Sequence, residues 1–263
     1  MDPADVPIAH RWTTIDGRRV HAYAAGGVRG AGARPPVVLV HGWVISGRYM
    51  LPTLRRLAAD FAVYAPDLPG HGRSDTPPRA LDIAGYAEAL VAWMDATGLA
   101  RALLVGNSLG CQVVARVAAS HPARVAGIVL VGPTVDAAAR SASVQAWRLL
   151  RDAVRERPSL LFLELADMLR VGPRRMVAMA RATLADRIED VLPRVRVPAV
   201  VVRGEHDTLV PRAWTAHVAA LLGTTPVEIP GAPHGVNYSA PEALATIVRG
   251  FAAALRDPAC STP

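Results

Sequence analysis

Ser108 sits in Gly106-Asn107-Ser108-Leu109-Gly110, between the apolar run Ala102-Leu103-Leu104-Val105 and a helical pattern over 109–120. A serine hydroxyl is a poor nucleophile until a base takes its proton, and the base needs a third group to fix its tautomer. Glycines at both ends of the segment suit a sharp strand-to-helix turn, where side chains would collide with neighbouring backbone. Such a turn lifts the hydroxyl above a sheet and puts it at a helix N-terminus, where partial positive charge favours a developing anion. The Leu109 amide can then donate to an oxyanion. The bland alternative is a tight turn with a capping serine.

A base and an acid must come from elsewhere in the chain. The late histidines are His206, His217 and His234. His217 falls within a helical pattern. His234 lies in a Pro/Gly-rich loop, Pro230-Gly231-Ala232-Pro233-His234-Gly235. Asp207 follows the apolar run at 199–202, with Glu205 two residues before it and His206 beside it. Asp136, after the run at 127–131, is a further acid. An Asp207 that only caps a helix starting near Pro211 is the bland alternative.

Short apolar runs alternate with helical patterns. Strands are expected at 37–40, 61–65, 102–106, 127–131, 199–202 and 226–229. Helices are expected at 48–60, 81–97, 109–120, 211–222 and 240–255. Strands that read as continuous apolar runs imply a parallel sheet covered on both faces, an α/β architecture. The alternation breaks at Pro133. From 136 to about 190 only helical patterns occur, at 137–156, 159–170 and 173–185, and Pro158 and Pro173 suit first helical turns. The stretch 26–36 reads as a loop.

The chain resembles the α/β-hydrolase family from about Val20 to Leu255. The resemblance rests on the Ser108 segment, on a strand ending in His41-Gly42-Trp43, on Asp67-Leu68-Pro69-Gly70-His71-Gly72-Arg73-Ser74, and on the loops carrying Asp207 and His234. It implies a mostly parallel eight-stranded sheet with helices on both faces and a helical lid inserted after strand 6. The core domain would span 1–133 and 191–263, and the lid 134–190. The resemblance also implies a triad in the order Ser108, Asp207, His234, with Trp43 and Leu109 supplying the oxyanion amides. Asp136 and Glu205 remain rivals for the acid. His41, Asp67 and His71 are expected to brace loops. Lid-bearing esterases, lactonases and carbon–carbon bond hydrolases are the most similar branches. Carbon–carbon bond hydrolases usually place Trp after the catalytic histidine, whereas Gly235 follows His234 here. A serine at 108 excludes the branch that uses an aspartate nucleophile.

The expected reaction is hydrolysis of a small to medium ester, lactone or thioester through a Ser108 acyl-enzyme. A lyase, cyclase or acyltransferase using the same site is an alternative, and a receptor-like small-molecule binder is another. The partner expected is a small molecule with an apolar part, contacted by Trp43, Trp147, Phe162 and Met168. No cofactor is expected, and no metal, because no spaced His/Cys/Asp cluster occurs. The net charge is +7, and all 29 basic residues are arginine. They are scattered, which argues against nucleic acid. No apolar stretch reaches the length of a membrane span. Met1-Asp2-Pro3-Ala4-Asp5 does not read as a signal peptide. The two cysteines, Cys111 and Cys260, form no disulfide framework, and a cytoplasmic location is the simpler expectation. A homodimer is left open.

Overall fold

The computed structural model describes residues 5–27 and 34–255. Residues 1–4, most of the 26–36 loop and Cys260 lie outside the described residues. The chain opens with β1 (Ala9–Ile15) and β2 (Arg18–Ala25), an antiparallel hairpin. Its turn, Asp16-Gly17, has φ of 48° and 74°. Two positive φ values in a two-residue loop match the twist of the flanking strands. Next come β3 (Val37–Val40), α1 (Leu51–Leu57), β4 (Val63–Pro66), α2 (Ile83–Ala96), β5 (Ala102–Asn107), α3 (Leu109–Ser120) and β6 (Val125–Val131). Three helices follow without a strand: α4 (Ala142–Ala153), α5 (Pro158–Val171) and α6 (Pro173–Ala185). A one-turn α7 (Ile188–Val191) leads to β7 (Ala199–Gly204), α8 (Arg212–Leu221), β8 (Pro226–Ile229), a short α9 (Val236–Ser239) and α10 (Pro241–Ala254).

The sheet has eight strands in the order β1-β2-β4-β3-β5-β6-β7-β8. β2 pairs antiparallel with β1 and with β4, and every pairing from β4 to β8 is parallel. This is the mostly parallel α/β sheet expected. Alternate residues of β5 explain why its sequence is an unbroken apolar run. Ala102 and Leu104 pack with Leu90 and Met94 of α2, Val113 and Val117 of α3, and Trp214 of α8. Leu103 and Val105 pack on the other face with Leu54 and Leu57 of α1 and Leu244 and Val248 of α10. Both faces are buried, so neither needs polar residues.

Two helices depart from expectation by several residues, each for a local reason. The helix expected over 48–60 starts as a 3-10 turn, Gly47–Met50, and becomes α-helical only at Leu51, with Pro52 in its first turn. The helix expected over 137–156 is interrupted. The Asp136 carboxylate accepts from the Ala138 amide at 3.0 Å and caps a separate 3-10 turn, so α4 begins at Ala142.

One buried carboxylate ties the early loops together. Asp67, just after β4, accepts from the Gly47 amide at 2.7 Å and the Arg73 amide at 2.9 Å, and lies 2.8 Å from Nδ1 of buried His21. The His41 Nε2 accepts from the Leu68 amide at 3.0 Å, and its Nδ1 faces the Gly42 carbonyl at 3.0 Å. Burial lowers the pKa of both His41 and His71, which suits neutral structural groups. Replacing Asp67 by Ala leaves two amides and an imidazole unmet in the interior. We expect Asp67→Ala to lower the unfolding free energy by about 3 kcal/mol in urea titrations. A loss below about 1 kcal/mol would contradict the bracing role.

Candidate active site

β5 ends at Asn107 and α3 begins at Leu109, so a single residue makes the turn. Ser108 has φ 56° and ψ −121°, a conformation that costs a non-glycine residue energy. The surroundings allow no relaxed alternative. A Cβ at Gly106 would lie 2.5 Å from the Gly110 carbonyl oxygen, and one at Gly110 only 2.3 Å from the Val40 carbonyl oxygen. A Cβ on Gly42 would sit 3.2 Å from the Ser108 Cβ, so glycine brings the end of β3 close to the serine. The Leu109 amide, first in α3, has no intrahelical acceptor and is free to donate. Cys111, one turn further on, is buried and unpaired, with Sγ against the Gly106 and Val131 carbonyls. Burial pushes its thiol pKa far up, so it is an inert core residue.

The loops after β7 and β8 bring Asp207 and His234 together. His234 Nδ1 lies 2.8 Å from Asp207 Oδ2. The other oxygen, Oδ1, accepts from the Leu209 and Val210 amides at 2.9 and 2.8 Å, which holds the carboxylate in place. His234 Nε2 is buried and has no hydrogen-bond partner, and it lines the same cavity as Ser108. Asp136 pairs instead with Arg148 at 2.9 Å, and Glu205 accepts from the Gly231 amide at 2.8 Å. His206 and His217 are exposed. Gly132, after β6, makes room for the pair. It has φ 56°, and a Cβ there would lie 2.9 Å from the His234 ring. The sequence reading missed Gly132, although a glycine ending an apolar strand was a signal for close approach.

The cavity is about 450 Å³ and mostly apolar, lined by Trp43, Ile45, Leu149, Met176 and Leu209 among others. Trp43 also ties its indole to the Met176 carbonyl at 3.3 Å. The expected contacts Trp147, Phe162 and Met168 are corrected: none of them lines the cavity. Trp147 and Phe162 are 56% and 74% exposed. Each lies on the outward face of its helix, where Arg151 covers the Trp147 ring at 4.6 Å. Helical spacing alone could not say which of two apolar faces turns inward.

Three carboxylates from the 134–190 segment were not anticipated. Asp152 accepts from the Thr208 amide at 3.1 Å and the His234 amide at 3.3 Å. Glu156 accepts from the Gly235 amide and, at 2.8 Å, from the Ser239 hydroxyl. Glu164 of α5 lines the cavity. Burial raises the pKa of all three, that of Glu156 to about 7. For His234, burial pulls the pKa down. The charge and hydrogen bond of Asp207, helped by Asp152 and Glu156, overcome it and raise the value to about 9. Among the described residues no group of three or more His, Cys, Asp or Glu could hold a metal ion. No helix of the described residues is long and apolar enough to cross a membrane.

Residues 37–247 match the family model described as the α/β hydrolase family. The chain belongs to the α/β hydrolase family. A 2-(acetamidomethylene)succinate hydrolase from Mesorhizobium japonicum is 28% identical to this hydrolase over 252 residues, covering 85% of this chain and 90% of that one. A non-heme chloroperoxidase from Streptomyces lividans is 29% identical, covering 80% and 88%. Among solved structures, an N-acyl homoserine lactone degrading enzyme superposes with a TM-score of 0.77 at 26% identity, covering 92% of this chain and all of that one (100%).

The His234 pKa is directly measurable. The imidazole of an NMR-labelled sample is expected to titrate near 9. The sign follows from linkage: a folded-state pKa raised above 6.5 gives stabilisation that is full below 6.5 and is lost as pH rises through about 9. Asp207→Asn should move the titration down. A midpoint at or below 6.5 in the unaltered hydrolase would contradict the arrangement.

Proposed function

We propose that this hydrolase cleaves a small to medium ester, lactone or thioester through an acyl-enzyme on Ser108. The observation that carries the reading is the convergence on one cavity of three features. They are a serine on a strained strand–helix turn, a histidine with an unmet Nε2, and a carboxylate 2.8 Å from that histidine's Nδ1. In its neutral form, populated as the pH rises toward about 9, His234 takes the Ser108 proton through Nε2 as the hydroxyl oxygen attacks the carbonyl carbon. Asp207 holds Nδ1 and stabilises the imidazolium. The Trp43 and Leu109 amides stabilise the oxyanion, each contributing about 3 kcal/mol. His234 then gives its proton to the leaving group. Water, activated by the same imidazole, releases the acid and restores the serine.

In this reading residues 134–190 form a lid over a core made of 1–133 and 191–263. Hydrogen bonds from the core to this segment support it: Ser46 amide to Asp167 at 2.9 Å, and Gln112 to the Thr183 carbonyl at 3.0 Å. Of the relatives named above, the 2-(acetamidomethylene)succinate hydrolase supports hydrolysis, whereas the chloroperoxidase is named for another reaction. A succinate is a dicarboxylate. Among the described residues no arginine lines this cavity, so the proposal takes over the hydrolytic chemistry and not that acid.

Two results test the proposal. Ser108→Ala should lower ester turnover at least about a thousandfold. In water enriched in heavy oxygen, the released acid should carry one solvent oxygen per turnover. Turnover without label would point to a lyase or to acyl transfer, and full activity in Ser108→Ala would remove the nucleophile.

A further inference from the structure

The polar groups around the cavity fall into two classes. In the first, every oxygen is engaged. Asp152 spends its carboxylate on the Thr208 and His234 amides, and Glu156 on the Gly235 amide and the Ser239 hydroxyl. These two pin the loops that carry Asp207 and His234. In the second class nothing is engaged. Glu164 has no hydrogen bond or ion pair to any described residue, although it lies among Leu160, Leu163 and Asp167, the buried residues of α5. Thr134, only 4% exposed, also lines the cavity, and its buried hydroxyl has no partner. Unmet polar groups in an apolar cavity mark where a ligand's own polar groups belong.

The charge balance says which ligand. Asp152, Glu156 and Glu164 line the cavity with a single imidazole, His234, and no arginine lines it among the described residues. That imidazole is already paired with Asp207. An anionic substrate would meet carboxylates and no free cation. A cationic one would relieve the desolvation that burial imposes on Glu164.

We propose that the substrate cleaved at Ser108 carries a positively charged amino group, held by the Glu164 carboxylate beneath α4 and α5, and that carboxylate-bearing substrates are excluded. The Thr134 hydroxyl serves a second polar group of the same substrate. This rests on the Ser108 reading above, and the two can fail separately.

Three alkyl fluorophosphonates of one chain length, ending in an amino, a methyl or a carboxylate group, test it without needing the natural substrate. Each transfers its phosphonyl group to the Ser108 oxygen with loss of fluoride, and intact-mass spectrometry gives the labelling rate. At low salt the amino probe should label about tenfold faster than the methyl probe, and the carboxylate probe slower than both. Added salt should shrink the amino-to-methyl ratio. Glu164→Gln should bring that ratio to about one, while Glu164→Asp should keep part of it. Because each variant is compared with its own methyl-probe rate, a partly misfolded sample does not alter the ratio. Labelling of Ser108 at equal rates by the amino and methyl probes, or a ratio unchanged in Glu164→Gln, overturns the charge inference and leaves the nucleophile standing. Failure of all three probes to label Ser108 overturns both.

Discussion

Around Ser108 the backbone comes closer to itself than any side chain would permit. The Gly110 carbonyl approaches the Gly106 α-carbon, and the Val40 carbonyl approaches Gly110, so the β5–α3 turn and the end of β3 lock into one another. The price is a serine at φ 56°, roughly 1–3 kcal/mol of strain. Burial of α3 exceeds that cost. Leu109, Val113, Val114 and Val117 are fully buried, and each contributes roughly 1.5–3 kcal/mol. The strain is therefore held by the core and not by the loop, and the serine is placed as rigidly as the sheet beneath it.

The same economy places His234. Asp207 is fixed by two amides of its own loop and faces His234, while Gly132 yields the space the ring needs. Two opposing effects act on the imidazole. Burial favours its neutral form, and the surrounding carboxylates favour its charged form; the carboxylates win. Two of those carboxylates come from α4 and the residues after it, and their oxygens also hold the His234 and Gly235 backbone. The 134–190 segment and the His234 loop are thus one hydrogen-bonded unit.

Much of this was legible in the chain, and the reasons for the rest are physical. Ser108, Asp207 and His234 could be read because each sits in a loop whose glycines and prolines mark a required backbone path. β5 and α3 were read closely because both faces of the sheet are buried, which leaves an unbroken apolar run. The β1–β2 hairpin was not read. Most of β1 is exposed, so its residues carry no core pattern, and the Asp16-Gly17 turn alone announced it. Nothing in the sequence sets Asp152, Glu156 and Glu164 apart from a solvated acidic helix face. Only tertiary packing turns them inward. The same ambiguity sent Trp147 and Phe162 to the wrong side of their helices.

A crystal structure of the protein after reaction with an alkyl fluorophosphonate shows directly which oxygen attacks and what receives the negative charge. Phosphorus is expected on the Ser108 oxygen, with one phosphonyl oxygen at about 2.7–3.1 Å from both the Trp43 and Leu109 amides. A phosphonyl group on any other residue, or one on Ser108 whose oxygen points away from those amides, would contradict it.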